Sequence, residues 1–110
     1  MTTLADKVCE PCRTGTPPLS AERSAALVNE ITGWSVVDNH HIEKTFRFRD
    51  FAEALRFVNA VGATAEAQGH HPEIALSWGK ARVTIWTHKA GGLTESDFIL
   101  AARIDVIPSA

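Results

Sequence analysis

Apolar positions along the chain recur at two periods, and the switches between them predict seven elements. Ser20 is placed to cap a short helix running to about Glu30, with Leu27, Val28 and Ile31 on its apolar side. Thr32-Gly33 ends it. Residues 34–37 then read as a strand, and Asp38-Asn39 offers the turn chemistry of a hairpin. On the return strand, roughly 41–48, Ile42, Phe46 and Phe48 alternate with Glu43, Thr45 and Arg47, and Lys44 breaks the pattern. The period changes to 3.6 at Asp50, an N-cap with Glu53 three residues on. Phe51, Ala54, Leu55, Val58, Val61, Gly62 and Ala65 form a long helical stripe that Gly69 is placed to stop, with Glu66 in the last turn. Pro72 forbids continuation and pushes His71 toward extended geometry.

A second hairpin follows. Ile74, Leu76 and Trp78 alternate on one strand, Gly79-Lys80 make the turn, and Val83, Ile85 and Thr87 alternate on the other. Arg82, Thr84, Trp86 and His88 share the opposite face. After Ala90-Gly91-Gly92, Thr94 caps a last helix to about Val106, with Asp97 at the capping-box position and Leu93 and Phe98 as a hydrophobic staple. The order is α-β-β-α-β-β-α. Antiparallel hairpins separated by helices predict an α+β fold, a four-stranded antiparallel sheet with helices packed on one face. Residues 1–19, ending in GTPPL, read as a loosely held N-terminal arm, and residues 20–110 as the domain.

Composition narrows the function classes. The 110 residues amount to one domain, 45% apolar, which suffices for an ordinary core. A net charge of −2, from 11 basic and 13 acidic residues, gives no electrostatic footprint for nucleic acid or an anionic membrane. No apolar run approaches the ~18 residues of a membrane span. The start, MTTLADKV, lacks the apolar core of a signal peptide, so a cytoplasmic protein is expected. Cys9 and Cys12 form a lone C-x-x-C in a Pro-rich stretch, with no second pair to complete a zinc site. They read as reduced thiols, with a zinc half-site and a redox role as the alternatives.

Five histidines remain to be explained. Histidine, with an unperturbed pKa of ~6.5, donates and accepts protons near neutrality. His40-His41 lie in a hairpin turn with no evident partner and read as solvated. His70-His71-Pro72 joins a helix end to a strand, where the backbone is pinned. His88 ends the strand that returns beside it, so the hairpin brings all three toward one sheet edge. Three readings stand on the residues alone: an acid–base site, surface or capping histidines, and a three-histidine metal site.

These residues carry a resemblance. Glu66-Ala67-Gln68-Gly69-His70-His71-Pro72, then five intervening residues to Trp78, nine to His88 and eight to Asp97, is similar to the pattern of pterin-4a-carbinolamine dehydratases. The run WTHKAGGLTESDFILAARID from Trp86 resembles that family's second block, and the match is ungapped over 66–105. One departure is Ile74, where many members carry an aromatic. The resemblance implies elimination of water from 4a-hydroxytetrahydropterin to quinonoid dihydropterin, in tetrahydropterin recycling, with no redox cofactor and no metal. It implies His70 and His88 as the main acid/base pair, and His71 as a third catalytic residue that also orients the pterin. With His71, the implied substrate-binding set is Glu66, Trp78 and Asp97. Each of those three has a plainer reading as well: a solvated carboxylate, sheet packing and a helix cap. The implied partners are a pterin and further copies of the chain, as homodimer or homotetramer. The alternative it carries is a non-catalytic module on the same fold, a transcription-factor dimerisation cofactor or a RuBisCO assembly factor.

Overall fold

The two periods fold as strands and helices where the pattern puts them, with the ends trimmed. A computed structural model describes residues 4–7 and 16–108, so Cys9 and Cys12 lie outside the described residues. In chain order α1 is Ala21–Val28, β1 Ser35–Val37, β2 His41–Arg47, α2 Phe51–Gln68, β3 Glu73–Ser77, β4 Lys80–Ile85 and α3 Glu95–Asp105. The strands form one antiparallel sheet in the order β1-β2-β4-β3. Ile42, Phe46, Ala81, Val83 and Ile85 are buried beneath the helices. Between them, Thr45, Arg47 and Arg82 are exposed on the other face.

The caps act as the sequence predicts. The Asp50 carboxylate accepts the Glu53 N–H at 2.9 Å, and Gly69 closes α2 in the left-handed region at φ 64°. The buried stripe of α2 is Ala54, Phe57, Val61 and Ala65, whereas Phe51 and Leu55 remain 44% and 40% exposed. The helical step turns those two away from the sheet. Leu93 and Phe98 are fully buried at the start of α3.

Three expectations change. Trp78 falls beyond β3 and stands 69% exposed in the turn, not in line with Ile74 and Leu76 on the strand. Lys44 does lie on the helix-facing side of β2, opposite Val83. It is tolerated because Nζ reaches the Asp105 carboxylate at 2.9 Å and the Thr32 carbonyl at 2.7 Å, while Trp34 Nε1 donates to the same carboxylate. The described parts of the arm are docked. Leu4 is buried in the core, and Arg103 donates to the Lys7 carbonyl at 2.9 Å.

Candidate active site

His70 and His71 are fixed by how α2 ends. With Gly69 left-handed, the Gly69 N–H bonds to the Glu66 carbonyl and the His70 N–H to that of Ala65, both at 3.2 Å. Pro72 then starts the run into β3. Continuing the pairing Glu73↔Thr84 three residues outward sets His70 beside Thr87.

There His70 meets the start of α3. Its Nε2 lies 2.5 Å from Asp97 Oδ1. The other Asp97 oxygen accepts the Thr87 hydroxyl at 2.9 Å and the Thr94 N–H at 2.8 Å, so one carboxylate, with no exposed surface, both caps α3 and orients a histidine. With Nε2–H given to the carboxylate, Nδ1 is the nitrogen left to accept a proton. His71 pairs with Glu66 through Nε2 in the same sense. That pair is largely exposed, at 61% and 77%, and contributes aim more than stability.

His88 opens a short 3-10 turn, His88–Ala90, closed by left-handed Gly91. Mutual backbone bonds between Thr87 and Gly92 hold its base. Asp97 therefore ties His70 directly, and His88 through its neighbour Thr87, to one helix end. The His88 ring is exposed and stacked on Trp86, with centroids 4.3 Å apart. Among the described residues no hydrogen bond or ring contact joins it to His70 or His71, and no three His, Cys, Asp or Glu side chains are grouped as a metal site would need.

The expected substrate-binding set divides. Glu66 and His71 stand at the site. Asp97, expected against a ligand, is fully buried and reaches one only through His70. Trp78 sits at the opposite end of β3, on the order of 20 Å from His71 at ~3.3 Å per strand residue. There it lines a hollow with Arg47, Phe48, Ser77, Gly79 and Lys80, and the fold does not bring it to the histidines of its own chain. His40 and His41, expected as solvated residues without a partner, are half-buried, and their rings both contact Trp86. The signal lay in the β2–β4 register, which a single sequence does not display.

Residues 17–107 match the sequence model of the family described as Pterin 4 alpha carbinolamine dehydratase. The chain is 54% identical over 105 residues to a "Putative pterin-4-alpha-carbinolamine dehydratase" of Rubrobacter xylanophilus, covering 96% of this chain and 98% of that one. It is 47% identical to one so named from Alkaliphilus metalliredigens, covering 96% of each. Among solved structures, a transcriptional coactivator/pterin dehydratase from Brucella melitensis superposes with a TM-score of 0.75 at 31% identity, covering 79% of this chain and 94% of that one. A pterin dehydratase-like protein identified as a RuBisCO assembly factor in the alpha-carboxysome gives 0.57 at 25% identity, covering 66% and 86%. Among the described residues no helix is long and apolar enough to cross a membrane.

Proposed function

This chain belongs to the pterin 4 alpha carbinolamine dehydratase family, and from that premise we propose that it removes water from a 4a-hydroxytetrahydropterin to give quinonoid dihydropterin, within tetrahydropterin recycling. The observation that carries the reading is the His70–Asp97 pair. A buried carboxylate that also accepts from the Thr87 hydroxyl and the Thr94 N–H fixes the imidazole's orientation and tautomer, the arrangement a proton-transferring histidine needs.

The elimination breaks the C4a–O bond. An acid gives a proton to the departing hydroxide, which leaves as water, and a base takes a proton from a ring N–H. The electron pair of that N–H bond becomes the new π bond. The step is redox-neutral. His70, through Nδ1, and His88 serve as the two proton-transfer groups, and His71, held by Glu66, orients the pterin. Exchange with solvent resets both rings.

A second reading has support in the two solved relatives, one described as a transcriptional coactivator/pterin dehydratase and the other as a RuBisCO assembly factor. On that reading the chain is a binding module and the histidines have no catalytic task. An ultraviolet assay of carbinolamine dehydration separates the two. The dehydratase reading expects the protein to accelerate the reaction well above its spontaneous rate at catalytic concentration. A rate equal to the spontaneous one would overturn it in favour of the binding module.

A further inference from the structure

His40 closes the β1–β2 turn and His41 opens β2, and the fold connects the two to His88 through one aromatic ring. The His40 N–H closes the turn on the Val37 carbonyl at 2.9 Å, and the central residues Asp38 and Asn39 have φ of 53° and 49°. Three residues, 38–40, thus separate the paired Val37 and His41, and the left-handed pair at 38–39 makes the tight reversal. Asn39 anchors it by donating to the Leu19 carbonyl at 3.2 Å. The pairing Ile42↔Ile85 sets the neighbouring His41 and Trp86 side by side on the face turned away from the helices.

The rings then make a continuous row. His40 and His41 share a hydrogen bond between their Nδ1 atoms at 3.1 Å, which requires one ring to carry its proton there and the other to accept. Their centroids lie 5.2 and 6.1 Å from the Trp86 ring. The far side of the row is the Trp86–His88 stack, inclined by 29°.

We propose that Trp86, backed by His40 and His41, is the positioning residue for His88. The inference rests on the acid–base reading above and adds to it what aims the third imidazole. His70 is held by Asp97 and His71 by Glu66, each through a hydrogen bond. His88 stands on an exposed turn, and among the described residues its ring has no hydrogen-bonding carboxylate. The stack on Trp86 limits the rotamers that ring samples, and His40 and His41 do the same for the indole. A misaimed proton-transfer group slows the chemical step and leaves substrate affinity largely intact.

The test combines proton NMR of the His88 ring with steady-state dehydration kinetics, on the parent, Trp86→Leu, Trp86→Phe and the double variant His40→Gln with His41→Gln. In the parent the His88 ring protons should be displaced upfield by the indole ring current. Trp86→Leu should abolish that displacement and lower kcat by about tenfold with KM changed less than about twofold. Trp86→Phe, which keeps an aromatic face, should restore most of both. The double histidine variant should give a smaller loss of the same kind. Unmoved His88 resonances with a raised KM and unchanged kcat would overturn the proposal and make Trp86 a platform for substrate. Unchanged rates in Trp86→Leu would also overturn it, and unchanged readouts in the double variant would remove the backing role. If the parent does not dehydrate the carbinolamine, the proposed function fails by itself. The ring-current displacement then decides alone whether Trp86 fixes His88.

Discussion

Asp97 receives His70 on one oxygen, and Thr87 and the Thr94 backbone on the other, so a single buried side chain holds a histidine and the start of α3 together. The cap was legible from the Thr94–Asp97 spacing. The histidine contact was not, because it spans 27 residues and depends on where α2 ends relative to α3. The two duties separate by substitution. Asp97→Ala leaves the Thr87 hydroxyl, the Thr94 N–H and His70 without their acceptor, and should cost about 2–4 kcal/mol in urea unfolding. Asp97→Asn keeps an oxygen for the cap but turns an N–H toward His70. That favours the tautomer with the proton on Nδ1, and stability should fall by about 1 kcal/mol or less. The dehydration rate should fall about 10²–10⁴-fold, since His70 Nε2–H no longer has its carboxylate and the protonation of Nδ1 is reversed from that of the parent. Equal, small effects of the two changes on rate would mean that Asp97 serves α3 only.

Among the elements, α2 and the two hairpins were readable because each carries its own period and punctuation. Lys44 was readable only as an interruption. Its explanation, a half-buried ion pair to the end of α3, needs the docking of α3 over β2. Lys44 and Asp105 are 20% and 18% exposed, so the pair is only partly screened by solvent. Asp105→Ala leaves the Lys44 ammonium with the Thr32 carbonyl but no counter-charge and strands the Trp34 indole N–H, and should cost about 2–3 kcal/mol. Lys44→Met removes the charge, keeps an aliphatic stem beside Phe46 and leaves Asp105 its indole donor, so it should cost less than about 1 kcal/mol. Equal losses in urea unfolding would show that the ion pair itself, and not the satisfaction of Asp105, carries the stability. The strand ends were misread for a related reason. Trp78 continues the alternation of β3 in sequence, but the strand stops at Ser77 where the turn begins.

On the scale of the whole molecule, sheet class, helix placement and the two His-bearing junctions followed from the pattern, while the packing between hairpins did not. The β2–β4 pairing decides which residues share the open face, and it alone reveals the row from His40 to His88. Trp78 and Val106 are 69% and 71% exposed, and Phe51 and Leu55 add apolar surface along α2. With edge strands at β1 and β3, that surface fits association into a dimer or tetramer. Light scattering at micromolar concentration should give a multiple of the 12.0 kDa chain mass, and a mass of one chain would refute the assembly. The proposed elimination depends on His70 and His88 acting in one reaction. The direct measurement is the dehydration rate, corrected for the spontaneous reaction, of His70→Ala, His88→Ala and the double variant. Each single change should lower the catalysed rate about 10²–10⁴-fold with the fold retained, and the double loss should fall short of their product. A folded His88→Ala or His70→Ala protein that dehydrates the carbinolamine at the parent rate would contradict it.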